Sequence, residues 1–244
     1  MADLTLRASA VSLTLSGRDI INDVSLQAAR GQWVSIVGAN EAGKTSLLHL
    51  LAGWRPPSSG QILFDDRPLH ADDRVEIVLA PGPDDLPGHL LGRELITIVQ
   101  HERQRPTPTN WPEILEALNG DRWLERAVNQ LSLGTRRKVA LATALCASPT
   151  LLLLDEAFDA LDALSSMRVR TMVRGLVDKG NMAVISASHA WESVFTDSDV
   201  IAFLAAGSVV RQLERADFID LAAQSARMQE TILAAFATPA PPKE

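Results

Sequence analysis

The chain has 244 residues, 46% hydrophobic and 22% charged, enough for one large globular domain or a core with a subdomain. A net charge of −7 argues against nucleic-acid binding, which draws its affinity from a positive face. The single cysteine, Cys146, excludes an intrachain disulfide and a thiolate metal cluster; it lies in an apolar run and reads as a core residue.

Leu4 and Leu6, then Val11, Leu13 and Leu15, then Val24 and Leu26 alternate with polar residues. This is antiparallel strand patterning, turned at Ser16-Gly17 and Ala29-Arg30-Gly31. Trp33-Val34-Ser35-Ile36-Val37 reads as a buried strand, with Trp33 packing on the sheet, and Ser46 to Ala52 reads as a helix. Between them, Gly38-Ala39-Asn40-Glu41-Ala42-Gly43-Lys44-Thr45 fits G-x-x-x-x-G-K-[ST], a loop that wraps nucleotide phosphates. The glycines bring backbone N–H groups against phosphate oxygens. The helix N-terminus, opened by Ser46, adds partial positive charge, Lys44 reaches the β/γ-phosphates, and the Thr45 hydroxyl suits Mg²⁺.

Pro56 to Gly60 turns the chain, Gln61 to Phe64 is a strand, and Val75 to Leu79 is another, ending in the loop Pro81 to Asp85. Leu90 to Leu145 has helical spacing, broken by Pro106, Pro108 and Pro112. Leu151 to Leu154 and Ala183 to Ser186 are short buried strands around a helix over Ser165 to Asp178. Val200 to Leu204 and Ser208 to Val210 form a hairpin; Phe218 to Phe236 has helical spacing, and Ala237 to Glu244 is a frayed tail. Strands alternating with helices predict an α/β fold with a mainly parallel sheet, an N-terminal antiparallel edge and a helical insertion. Ligand then binds beyond the carboxyl ends of the strands.

Two further motifs bear on chemistry. Asp155 and Glu156 end the Leu151–Leu154 strand at the ligand face; Asp155 can hold Mg²⁺ and Glu156 can orient and deprotonate a water. Leu131-Ser132-Leu133-Gly134 opens a helix, where a hydroxyl, backbone N–H groups and the helix dipole favour phosphate; an ordinary serine cap is the plain alternative.

Together these motifs resemble the ATP-binding cassette (ABC) ATPases over nearly the full length. Leu131 to Gly134 is similar to the family's signature motif. Asp155 to Asp162 resembles its Walker B end and D-loop, and Ser186-Ala187-Ser188-His189 resembles its switch-histidine loop. The resemblance implies a P-loop NTPase (RecA-like) core over about 1–81 and 147–215, a helical subdomain over about 82–146, and a C-terminal helix over about 216–236. It implies a head-to-tail dimer using ATP and Mg²⁺. Gly38 to Ser46 would bind nucleotide, Thr45 and Asp155 the metal, and Ser132 and Gly134 the opposite subunit's ATP. Lys44, Glu156 and His189 would be catalytic.

The chain departs from the family's pattern at Gly82, where Gln is usual, and at Leu15, where an aromatic residue stacks on adenine. Leu133, Thr135, Glu41 and Ala157 also replace the usual residues. The residues of chemistry remain, so the expectation is a divergent but equipped ATPase: the cytoplasmic subunit of a transporter, held at the inner membrane face by multi-span partners that dock near Gly82 to Leu95. The alternatives are a soluble ABC ATPase of assembly or maintenance and a weakly hydrolysing regulatory subunit.

Overall fold

The structure is a computed structural model that describes residues 4–103, 108–159, 161–180, 182–189 and 191–218. In chain order its elements begin with β1 (Leu4–Leu15), β2 (Arg18–Ala29), β3 (Trp33–Val37) and α1 (Lys44–Leu51). They continue with β4 (Ser59–Phe64), β5 (Arg67–Pro68), β6 (Ile77–Leu79), α2 (Gly92–Arg103), α3 (Trp111–Ala117) and α4 (Leu133–Cys146). The last are β7 (Leu151–Asp155), α5 (Ala163–Asp178), β8 (Ala183–Ser188), α6 (Trp191–Asp197), β9 (Val200–Ala205), β10 (Ser208–Glu214) and α7 (Arg215–Phe218).

These strands form two sheets. One has the order β10-β9-β3-β8-β7-β6 and is parallel except for the β9–β10 hairpin. The other is antiparallel, β2-β1-β4-β5. The N-terminal antiparallel strands are thus a sheet in their own right. Register shifts interrupt the β1–β2 pairing, and Ala10 in β1 has φ 50°.

The strands β3, β7 and β8 are buried on both faces because the parallel sheet is covered on both sides. Alternation divides β7 between two cores. Leu151 and Leu153 pack with α1 and the antiparallel sheet, while Leu152 and Leu154 pack with α4, α5 and Trp123. Cys146 lies 1% exposed in the second core, and burial pushes its thiol up to about 12.

Three details differ from the sequence reading. Val75 closes a 3-10 turn over Ala71–Val75, so the strand begins only at Ile77. Pro112 stands in the first turn of α3, where its missing N–H costs nothing, and so starts a helix instead of breaking one. The β10 strand runs on to Glu214. The expected helix to Phe236 and the tail lie outside the described residues beyond Phe218.

Candidate active site

Because β3, β7 and β8 are parallel neighbours, their carboxyl ends meet on one edge: Val37 is opposite Ser188, and Asp155 opposite Ala187. The P-loop leaves β3 there, Glu156 follows β7, and His189 follows β8. Sheet topology therefore gathers residues far apart in the chain.

The P-loop backbone is tightly constrained. A Cβ on Gly38 would lie 2.3 Å from the Leu204 carbonyl oxygen. Gly43 has φ 101°, and a Cβ there would lie 2.9 Å from Ile21 Cδ1 and 3.0 Å from the Ile20 oxygen. Glu41 takes φ 65°, a left-handed conformation that explains why glycine suits this position. Ala42 is buried and its carbonyl accepts from Gly207 N at 3.1 Å. Lys44 starts α1, is 6% exposed, and its Nζ donates to the Gly38 and Ala39 carbonyls at 2.9 and 3.0 Å.

The acidic groups close on this cation. Glu156 Oε1 lies 3.7 Å from Lys44 Nζ, and Thr45 Oγ1 donates to Asp155 Oδ2 at 2.6 Å. His189 Nδ1 is 3.3 Å from Glu156 Oε1 and 3.5 Å from Asp159 Oδ2. Burial pushes the Asp159 carboxyl up, opposed by the charges of His189 and Arg137. Asn40, Glu41, Gly43, Lys44, Thr45, Ser46, Asp155 and Glu156 all line one cavity of about 630 Å³. The Thr45 hydroxyl and Asp155 carboxylate are hard oxygen donors of the kind Mg²⁺ takes alongside water and phosphate, so the residues present fit that ion.

The cavity is also lined by Leu79 to Pro83 and Asp85, and by Arg137 of α4. Gly82 N donates to Asp85 Oδ2 at 3.1 Å, so a carboxylate from the same loop stands beside Gly82. Ile20, not Leu15, reaches the cavity; Leu15 packs against the core. His49 and Trp54 stack at the far edge, with ring centroids 5.1 Å apart. Sequence reasoning passed over Ile20, Asp85, Asp159 and Arg137 as site residues, since only the chain's folding brings them there.

Ser132 and Gly134 do not reach the P-loop cavity. Ser132 caps α4, its Oγ accepting from Thr135 N at 3.3 Å and sitting 2.9 Å from Thr135 Oγ1. With Gly134, Thr135 and Lys138 it faces a separate cavity of about 340 Å³. Trp33 behaves as expected: it is 1% exposed and its Nε1 donates to Ser186 Oγ at 2.8 Å.

Residues 21–159 match the family model described as ABC transporter. The chain belongs to the ABC transporter family. It is 30% identical to the taurine import ATP-binding protein TauB of Pseudomonas aeruginosa, covering 82% of this chain and 78% of that protein. It is 31% identical to the sulfate/thiosulfate import ATP-binding protein CysA of Salmonella typhi, over 89% of this chain and 61% of that one. In fold it resembles an ATP-binding subunit of an ABC transporter with a TM-score of 0.82 at 20% identity, covering 94% of this chain and 99% of that one. A dimeric ATP-binding cassette in a post-hydrolysis state, bound to ADP and Pi, matches with a TM-score of 0.75 at 21% identity, over 86% of this chain and 98% of that one. This ABC chain is an ATP-binding subunit and an ATPase, built on the α/β P-loop fold expected from its sequence.

Proposed function

We propose that this subunit binds MgATP in the P-loop cavity and hydrolyses it as one of two cassettes that drive the membrane subunits of a transporter. The convergence of Lys44, Glu156 and the Thr45–Asp155 hydrogen bond in one cavity carries the reading. Lys44 would release its two carbonyl partners for the β- and γ-phosphates, and the Gly38–Ser46 backbone would cradle them. Thr45 and Asp155 would hold Mg²⁺, which supplies charge neutralisation when bound. Glu156 would take a proton from the attacking water, and His189, held by Glu156 and Asp159, would contact the γ-phosphate.

Ser132 and Gly134 face away from their own P-loop cavity, which supports their serving the nucleotide of a second cassette. ATP then clamps the pair, and loss of the γ-phosphate opens it. No helix among the described residues is long and apolar enough to cross a membrane. We assign the spans to multi-span partners docked near Gly82 to Leu95, with this chain peripheral on the cytoplasmic face. The names of the taurine and sulfate/thiosulfate relatives support an importer.

The test is hydrolysis by the purified complex. Glu156→Gln is expected to cut turnover by at least about 100-fold while ATP still binds, because only the general base is lost. Full turnover in this variant, or recovery of soluble partners alone with the tagged chain, would overturn the reading.

A further inference from the structure

Arg137 sits one turn into α4, yet its side chain lines the P-loop cavity beside Lys44, Thr45, Asp155 and Glu156. Its neighbours are committed elsewhere. Arg136 pairs with Asp84 at 3.1 Å, and Lys138 donates to Ser165 Oγ at 2.7 Å and pairs with Asp162 at 3.5 Å. The Nε of Arg137, like that of Arg136, is shielded from solvent and has no hydrogen-bond partner among the described residues, but of the two only Arg137 lines the P-loop cavity. A buried guanidinium N–H without an acceptor costs free energy, so the position calls for an acceptor that arrives with a ligand. Arginine's planar fork matches phosphate oxygens.

Charge and position identify which phosphate. Glu41, Asp85, Asp155 and Glu156 line the cavity, and Lys44 and Arg137 are its lysine and arginine, so an incoming polyanion needs both. Arg137 shares the cavity with Glu156, whose Oε1 lies 3.7 Å from Lys44 Nζ and 3.3 Å from His189 Nδ1. The loop opposite has only Gly82 at the position of the usual Gln, with no side chain to reach a phosphate.

We propose that Arg137 binds the terminal phosphate of the ATP held on its own chain's P-loop, linking α4 to the nucleotide in cis; this rests on the P-loop cavity being the ATP site. Arg137 is a phosphate-binding residue of the same site as Lys44.

The discriminating readout is the ratio of ATP to ADP affinity, measured by calorimetry on the full chain carrying Glu156→Gln so that ATP is not consumed. Adding Arg137→Gln should weaken ATP by about tenfold or more, the size of one charge-assisted hydrogen bond, and ADP by less than about twofold. Arg137→Lys should recover part of the ATP affinity. Equal weakening of both nucleotides, the mark of a packing role, or no weakening of ATP overturns the proposal. If the Glu156→Gln parent itself binds no ATP, the functional reading fails too. If the parent binds and Arg137→Gln leaves the ratio unchanged, only the role of Arg137 falls.

Discussion

On one side of the nucleotide cavity, Lys44 is 6% exposed and follows a strand whose five residues are all buried. In the loop that carries the lining residues Pro83 and Asp85, the Asp84 side chain is 80% exposed and tied to Arg136 by an ion pair. The first wall is fixed by core packing and close backbone approach, where a displacement of a few tenths of an ångström has nowhere to go. The second is held by solvent-exposed contacts, each worth about 0–1 kcal/mol. A wall of the second kind can shift with the nucleotide and can vary in sequence, and Gly82 lies in it.

The contrast is broken most directly at Gly38. A Cβ there meets backbone, the Leu204 carbonyl, at 2.3 Å, and no rotamer can relieve it. Gly38→Ala should lower stability by about 1–3 kcal/mol and abolish measurable ATP binding. Urea unfolding and nucleotide titration check both. A variant with wild-type midpoint and affinity would show that the P-loop wall is not rigid.

Beneath that wall lies a buried polar network. Ser186 Oγ accepts from Trp33 Nε1 at 2.8 Å and lies 3.0 Å from Ser35 Oγ, which is 2.6 Å from Ser198 Oγ. Ser186→Ala strands the indole N–H in the core and should cost about 1–3 kcal/mol in chemical denaturation. The cost should appear without a matching loss of ATP affinity, because the network supports the strands and does not line the cavity. A stability change below about 0.3 kcal/mol would mean that the network is dispensable to the wall above it.

Much of the rigid wall was legible in the sequence. The P-loop announces itself because its steric demands fall on adjacent residues, and Asp155-Glu156 because a fully apolar strand must end at the ligand edge. Asp85 and Arg137 were not legible as site residues. Each depends on how α4 and the 82–85 loop lean over the cavity, which is set by tertiary packing and leaves no periodic trace. Ile20, on the far side of the hairpin turn from Leu15, lines the cavity, a position that alternation along the strand does not reveal. That the antiparallel strands form a second sheet is not legible, because alternation tells that a strand is half-buried, not which sheet it joins.

A third measurement sharpens the contrast at the junction of the walls, where Asp162 caps α5 and pairs with Lys138 of α4. Its carboxylate accepts from Ser165, side chain and backbone, and these bonds hold its pKa at about 2. The folded value is below the unfolded value of about 3.9, so the stabilisation is present in full above the unfolded value and is lost as pH falls through about 2. Asp162→Ala should lower Tm by a constant amount from pH 7 to about pH 5, and the gap to wild type should narrow between about pH 4 and pH 2. A gap that does not change with pH would assign the cap to geometry alone, without the carboxylate's charge.

The smallest effect is expected at Asp84, and it tests the soft wall itself. Asp84 loses little by truncation: its carboxylate is solvated, and Arg136 at 29% side-chain exposure can turn to water when the partner is removed. Asp84→Ala should therefore change stability by less than about 0.5 kcal/mol. The same substitution frees the 82–85 loop from α4 while leaving the Asp85–Gly82 hydrogen bond in place. Hydrogen exchange of that loop should then quicken with the melting point almost unmoved, the mark of a local opening separated from global unfolding. A loss above about 1 kcal/mol would make this ion pair part of the packed structure, and the cavity would then have two rigid walls.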